Sequence, residues 1–166
     1  MERLALRLVP AFAVALGLPA GFFEPAFTSP LFRLRLSHYP PVELEPGQFG
    51  IAPHTDTTFF TLLAQDGTGG LCVAMPDGRW VAVPPLADAI VVNTGELLRQ
   101  WSNDRVPSTR HYAVNMSGSD RYSLPFFFNA TADYTMECLP TCTSPGNPPK
   151  YPPMSFLESQ AVVQGE

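Results

Sequence analysis

Three side chains whose chemical types suit a metal ion lie in two separate segments of the chain. His54 and Asp56 stand two residues apart within the apolar, threonine-rich residues 50–63. Side chains at positions i and i+2 of a β-strand point to the same face, so this imidazole and carboxylate are predicted to project together. His111 follows 55 residues after Asp56 (111 − 56). Two histidines and one carboxylate form the triad that leaves open positions on non-haem Fe(II), and we predict such a site here.

A second group of side chains suits the binding of a carboxylate. Arg121 and Ser123 are also two residues apart, and an arginine can bind a carboxylate through two parallel hydrogen bonds. Tyr39, at the end of an alternating segment, offers a third donor. A clamp of this kind beside an open iron site suits 2-oxoglutarate, whose keto-acid end chelates metal while its other carboxylate meets Arg121. Arg35 shares the face of Tyr39, and either a substrate carboxylate or an ion pair is open to it.

The elements that must position these groups are predicted to be short strands. Seven or eight apolar or alternating segments follow one another from residue 31 to residue 128, without the alternation of strands and helices that marks a parallel sheet. Asp77-Gly78 is a typical hairpin turn, and 19 prolines with 12 glycines suit strands and turns better than a helical bundle. We therefore predict a mainly β fold, a double-sheet jelly roll with room for a metal between its sheets.

The two ends of the chain differ from this pattern. Leu4, Leu8 and Phe12 fall at helical spacing with Gly17 as a cap, which predicts an N-terminal helix; Arg7 and Pro10 disfavour the alternative of a cleaved leader. Beyond residue 131 the chain becomes a proline-rich tail in which only residues 154–163 have helical character. We divide the chain into an N-terminal helix and loop, a jelly-roll core and a tail belonging to the same domain: residues 1–30, 31–140 and 141–166.

Bulk composition narrows the class of protein. The 166 residues suit one domain, and a net charge of −5 gives no reason to expect a nucleic acid or an anionic membrane as partner. No segment has the length and apolarity of a membrane span. Cys72, Cys138 and Cys142 are an odd set, more typical of free thiols in a reducing cytoplasm than of a zinc site, which would need a second ligand pair. We expect a cytoplasmic protein acting on a small molecule.

Several short motifs, taken together in their order and spacing, carry a family resemblance between about residues 31 and 140. They are Arg-Leu-Ser-His-Tyr-Pro-Pro (35–41), His-Thr-Asp (54–56), Asp-Ala-Ile-Val-Val-Asn-Thr-Gly-Glu-Leu-Leu (88–98), Ser-Asn (102–103), Ser-Thr-Arg-His (108–111) and Arg-Tyr-Ser-Leu-Pro-Phe-Phe-Phe (121–128). In these motifs the sequence resembles the isopenicillin N synthase-like group of Fe(II)/2-oxoglutarate-dependent dioxygenases.

The resemblance implies a double-stranded β-helix in which His54, Asp56 and His111 bind Fe(II). Arg121 and Ser123 would hold the distal carboxylate of 2-oxoglutarate, assisted by Tyr39. With O2, such an enzyme hydroxylates, desaturates or cyclises a small organic substrate and releases succinate and CO2. Ser37 stands where the family usually has Asn.

The resemblance also leaves alternatives open. One is an iron oxidase of the same family that does not use 2-oxoglutarate, and another is a truncated, non-catalytic jelly-roll relative that binds metal. Family members carry a longer N-terminal region than this chain shows. We expect a missing barrel strand to leave an uncovered sheet edge, which would favour self-association. The motifs do not name the substrate.

Overall fold

A computed structural model describes residues 1–43, 45 and 47–164. The predicted loop of residues 42–50 therefore includes two residues, 44 and 46, that lie outside the described part, as do the last two residues of the tail. The helices are α1 (Glu2–Ala15), α2 (Glu96–Trp101) and α3 (Phe156–Gln164), with short 3-10 helices at Glu24–Phe27 and Pro140–Cys142. The strands are β1 (Leu31–Leu34), β2 (Ser37–Tyr39), β3 (Ile51–His54), β4 (Phe60–Gln65), β5 (Leu71–Ala74), β6 (Trp80–Val83), β7 (Val91–Thr94), β8 (His111–Ala113), β9 (Arg121–Asn129), β10 (Thr135–Met136) and β11 (Met154–Ser155).

Two antiparallel sheets enclose a cavity between them. In the larger sheet, β1 and β2 both pair with β9, which is followed by β4 and then β7. The smaller sheet has the order β3-β8-β5-β6, and β10 with β11 forms a separate two-stranded pair. Side chains from both main sheets line the same cavity. This arrangement agrees with the predicted mainly β jelly roll.

The larger sheet has one apolar face and one partly polar face because β9 alternates. Phe126 and Phe128 point to the apolar core on the outer side of the sheet, where they join Phe60 and Leu62 of β4. Arg121 points the other way, into the cavity between the sheets. Burial of each large apolar side chain contributes about 1.5–3 kcal/mol, so the outer core fixes the strands while the inner face remains available for polar groups.

Helix α1 covers that outer core with a face that is only partly the predicted one, since Leu8 and Phe12 pack against the core as expected. Its buried residues are Ala5, Val9 and Ala13, whereas Leu4 is exposed. The small side chains let the helix lie close to the aromatic rings of the sheet, and Phe12 stacks on Phe60 with ring centroids 5.2 Å apart. Helical spacing predicted the helix correctly. Apolarity alone could not show that its small residues, and not Leu4, would be buried.

The predicted strand of residues 31–39 is divided into β1 and β2 because a proline, Pro125, lies opposite it in the partner strand β9. The backbone carbonyl of Pro125 in β9 accepts a hydrogen bond from Arg35 N–H at 3.0 Å. In an antiparallel strand the N–H and C=O of one residue point to the same side, and proline has no N–H to donate. The ladder therefore lacks a bond at this place, and residues 35–36 leave regular strand geometry.

Candidate metal centre and carboxylate pocket

The two histidines of the predicted triad face each other across the smaller sheet. His54 at the end of β3 is directly opposite His111 at the start of β8, and their ring centroids are 4.4 Å apart. Asp56 lies two residues beyond the end of β3, in a loop, so the prediction that it shares a strand with His54 was wrong. The loop is held by helix α2, whose Glu96 N–H donates to the backbone carbonyl of Asp56 at 2.8 Å.

The ligand atoms of the three residues converge. Asp56 Oδ1 lies 3.7 Å from His54 Nε2 and 3.8 Å from His111 Nε2, and the three atoms are all within 4.8 Å of one another. Donors bound to one ion at about 2.1 Å lie at most about 4 Å apart, so both distances to Asp56 suit a shared cation.

Backbone carbonyls fix both imidazole rings. His54 Nδ1 donates to Ala52 O at 2.8 Å, and His111 Nδ1 donates to Thr109 O at 3.0 Å. In the neutral rings the lone pairs of both Nε2 atoms therefore face Asp56, and three electron-pair donors meet at one point. Such a set repels itself unless a cation lies among the donors, so the residues fit a metal ion.

Asp56 is held by two side chains to which the sequence assigned no role in the site, although one of them, Asn93, lies within the 88–98 motif. Its side chain is buried, and Oδ2 accepts hydrogen bonds from Thr61 Oγ1 at 2.7 Å and from Asn93 Nδ2 at 3.3 Å. Thr61 and Asn93 are paired across β4 and β7 and point into the cavity. Strand parity of residues 60–65 could have placed Thr61 inward, but not against Asp56.

Arg121 forms the other polar end of the cavity and is only 1% exposed. Its Nε donates to Gly69 O and its Nη2 to Gln65 Oε1 at 3.4 Å, while the Nη1 atom is buried without a partner among the described residues. A buried guanidinium with an unpaired donor suits an anionic ligand, since a carboxylate would satisfy it. The residues therefore fit the distal carboxylate of 2-oxoglutarate.

The chain wraps closely around this arginine. Gly70 has φ +90°, and a Cβ there would lie 2.0 Å from Val114 O and 3.3 Å from Arg121 Nε, so only glycine fits. Burial raises the pKa of Asp66, but hydrogen bonds from Tyr122 and Thr68 and the charge of Arg121 outweigh it and lower that pKa. Asp66 thus remains ionised and helps to balance the buried cation.

The cavity that joins the triad to Arg121 has a volume of about 230 Å³. Tyr39 and Ser123 line it beside Arg121, as does Phe127, whose even spacing from Ser123 places it on the same face of β9. The remaining walls are mainly apolar side chains from both sheets: Ile51, Leu63, Leu71, Val73, Val91, Val92, Ala113 and Pro125. The structure thus brings all six predicted site residues to one cavity, where their roles as ligands stay predictions.

The third histidine lies outside this site. His38 Nε2 is 2.6 Å from Asp120 Oδ1, and the imidazole stacks on the Tyr122 ring at the protein surface. Arg35, whose role was left open, lines the cavity with its guanidinium 5.5 Å from the centre of the Phe127 ring. No acidic side chain among the described residues forms an ion pair with Arg35.

A jelly roll that holds two histidines and one carboxylate beside a buried arginine defines the class of non-haem iron oxygenases. The family model of the 2OG-Fe(II) oxygenase superfamily matches residues 30–130, and the chain belongs to this family. The family confirms the predicted fold and the cofactors Fe(II) and 2-oxoglutarate. Among the described residues, no helix is long and apolar enough to cross a membrane.

Relatives support the same assignment. The chain is 40% identical over 156 residues to the 2-oxoglutarate-Fe(II) type oxidoreductase hxnY of Emericella nidulans, covering 92% of this chain and 45% of the relative. It is 42% identical over 131 residues to gibberellin 2-beta-dioxygenase 6 of Oryza sativa subsp. japonica, covering 79% and 35%. The chain spans about half or less of the length of these relatives.

Solved structures agree in fold. A full-length Neurospora crassa protein in complex with alpha-KG matches with a TM-score of 0.92 and 31% identity, over 99% of this chain and 54% of that one. JOX2 in complex with 2OG, Fe and JA matches with a TM-score of 0.87 and 31% identity, over 98% and 49%. Both of these structures were solved as complexes with 2-oxoglutarate.

Proposed function

We propose that the protein is an Fe(II)- and 2-oxoglutarate-dependent dioxygenase that oxidises a small organic molecule. The observation that carries the proposal is the pairing, in one cavity, of the converging His54, Asp56 and His111 donors with the unpaired Nη1 of buried Arg121. A protein that only binds a metal has no need of a buried arginine with an unpaired donor. A co-substrate with a chelating end and a carboxylate end needs both the metal donors and the arginine.

The site residues would have two roles, to hold the metal and to orient the co-substrate. His54, Asp56 and His111 would hold the metal, and Arg121 with Ser123 and Tyr39 would orient the co-substrate by its distal carboxylate. Iron, with 2-oxoglutarate and O2, supplies the oxidising power for an unactivated C–H bond. The apolar walls, such as Leu71 and Val73, exclude water from the reacting atoms.

The experiment is anaerobic addition of Fe(II) and 2-oxoglutarate while the visible charge-transfer band of the chelate is followed. We expect a band in the wild type, no band in His54→Ala, and a band only at much higher 2-oxoglutarate in Arg121→Ala. His38→Ala is the matched control, because this histidine lies outside the cavity and should leave the band unchanged. Absence of the wild-type band, or an unchanged band in both cavity variants, would refute the proposal.

For the substrate class, we propose a molecule that carries an acidic group. Arg35 is exposed at the cavity wall, has no acidic partner in the described part of the chain, and lies over the ring of Phe127. Arg121 already serves the co-substrate, so the cavity has a second cation for a second anion. Arginine recognises carboxylates through its planar fork, and the aromatic ring beneath it fixes the direction of that fork.

Paired compounds test the substrate class without depending on turnover. We would titrate a panel of carboxylic acids and their matching neutral amides into the preformed Fe(II)–2-oxoglutarate complex and follow the perturbation of its visible band. The acids are expected to bind tighter than the amides, and Arg35→Leu should remove the difference while Arg33→Leu, at a position that does not line the cavity, should keep it. A preformed band with no preference for acids would reject the substrate class and leave the dioxygenase assignment standing.

A further inference from the structure

The two carboxylate oxygens of Asp56 have different surroundings. Oδ1 faces the Nε2 atoms of His54 and His111 at 3.7 and 3.8 Å. Oδ2 is turned away from them and accepts two hydrogen bonds, from Thr61 Oγ1 at 2.7 Å and from Asn93 Nδ2 at 3.3 Å. One oxygen is thus directed to the metal position while the other is occupied by protein donors.

The donors come from the larger sheet, and their positions are set by strand register. Thr61 on β4 lies directly opposite Asn93 on β7, so neighbouring strands present a hydroxyl and an amide to the same oxygen. Thr58 extends the arrangement, since its Oγ1 is 3.1 Å from Thr61 Oγ1. Thr61 has one hydroxyl hydrogen, which goes to Asp56, so Thr58 must donate to Thr61. A buried chain of hydroxyls therefore ends on Oδ2, and each bond strengthens the next.

We propose that Thr61 and Asn93 are positioning residues that restrict Asp56 to one-oxygen coordination of the metal. Rotation of the carboxylate to bring both oxygens to the ion would break both hydrogen bonds and leave the buried Thr61 hydroxyl and the partly buried Asn93 amide without this acceptor. With Oδ2 held back by these donors, a bound ion would keep free the coordination position that a chelating carboxylate would fill. This inference rests on the metal assignment of the triad but not on the identity of the substrate or on turnover.

Titration with Co(II), without 2-oxoglutarate, tests this role because the ion reports its coordination in the visible spectrum. Thr61→Val has nearly the same shape but no hydroxyl, and we expect it to weaken Co(II) binding by about 10- to 100-fold and to alter the spectrum as Oδ2 reaches the ion. Thr61→Ser keeps the donor and should restore both affinity and spectrum. Thr57→Val is the matched control, since the Thr57 hydroxyl donates to Gln160 at 3.4 Å instead of to Asp56.

Asn93→Ala provides a second test that does not alter β4. We expect a smaller loss of Co(II) affinity than in Thr61→Val, because the amide hydrogen bond is the longer of the two. Thermal unfolding without metal identifies a variant that fails to fold. If Thr61→Val fails to fold, the Co(II) affinity and spectrum of Asn93→Ala decide whether the proposal holds. Wild-type Co(II) affinity and spectrum in the folded variants would overturn the proposal. So would a Thr61→Ser variant as impaired as Thr61→Val, since the hydroxyl would then not be what matters.

Discussion

Tyr39 on β2 lies directly opposite Arg121 on β9, and the guanidinium carbon of Arg121 is 4.6 Å from the centre of the Tyr39 ring. The aromatic face stabilises the buried cation and prevents the guanidinium from turning away from the cavity. Arg121 is thereby fixed on three sides, by the Tyr39 ring, Gly69 O and Gln65. Its Nη1 and the second hydrogen of Nη2 are left for a ligand, which makes the arginine a preformed site instead of a mobile side chain.

Two substitutions of Tyr39 separate the ring from the hydroxyl. Tyr39→Phe keeps the stack but removes the predicted third donor, and the KM for 2-oxoglutarate is expected to rise about tenfold with little change in kcat. Tyr39→Leu removes both contributions and should raise the KM further, because a cation–π contact is worth about 0.5–2 kcal/mol. Steady-state kinetics with varied 2-oxoglutarate distinguishes the two. If Tyr39→Phe matches the wild type, the phenol does not touch the co-substrate.

Gly95 is expected to be intolerant of any side chain because α2 begins against the metal loop. A Cβ on this residue would lie 2.2 Å from Thr58 O and 2.8 Å from Asp56 O. Gly95→Ala should therefore destabilise the fold by about 1–3 kcal/mol and weaken metal binding as the loop is pushed outward. Urea unfolding and metal titration measure the two effects.

Gly67→Ala is the control for this substitution, since nothing lies within 4 Å of the Cβ it would add. If Gly67→Ala and Gly95→Ala lost the same amount of stability and metal affinity, backbone entropy, and not the close contact with the metal loop, would explain the effect.

Much of the site followed from residue parity along strands. Arg121, Ser123 and Phe127 share one face of β9, as their even spacing predicted, and all three line the cavity. The same rule placed His54 correctly. It also predicted that Asp56 points to the side of His54, but on the wrong basis of a shared strand, because β3 ends before Asp56. The carboxylate is directed to the histidines by hydrogen bonds from β4 and β7, and such contacts depend on which strands become neighbours.

What the sequence could not show are the contacts between distant segments. The pattern of β4 does not show what Thr61 contacts, and the motif that contains Asn93 does not show what its amide contacts. Strand register sets the two side by side. The break between β1 and β2 likewise comes from Pro125 in the partner strand. Periodicity reports which face of an element a residue occupies, but it carries no information on what that face meets.

The free edge of β1 leads to an expectation about assembly. All four residues of β1 are exposed, and among the described residues the strand pairs only with β9. An exposed apolar edge promotes pairing with another chain, so we expect self-association that increases with protein concentration. Leu34→Lys should reduce it in analytical ultracentrifugation. Met116→Lys, at an exposed apolar residue outside the strands, should not; a wild type that stays monomeric at every concentration would contradict the expectation.

Asp104 links the end of α2 to the tail and should make stability depend on pH. Its carboxylate accepts hydrogen bonds from Lys150 Nζ at 2.9 Å, Tyr151 OH at 2.7 Å and Arg99 Nη1 at 2.5 Å. Burial raises the pKa of Asp104, but these three donors outweigh it and lower the pKa from 3.8 to about 2. Because the folded-state pKa is the lower one, the stabilisation is complete above about pH 4–5 and is lost as pH falls towards 2.

We expect Asp104→Asn to lower the free energy of unfolding by about 1 kcal/mol at pH 7, less than the full pKa shift implies, because the side chain is 33% exposed and solvent screens the charges. The difference in free energy of unfolding between the wild type and Asp104→Asn should be smaller at pH 3, where protonation of Asp104 in the unfolded chain already removes part of the stabilisation. Urea unfolding at both pH values measures it. Asp77→Asn is the control, since the exposed Asp77 carboxylate pairs with Arg79 within a surface turn and should change stability little. A deficit of the same size at pH 7 and pH 3 would mean that Asp104 acts through packing and not through its charge.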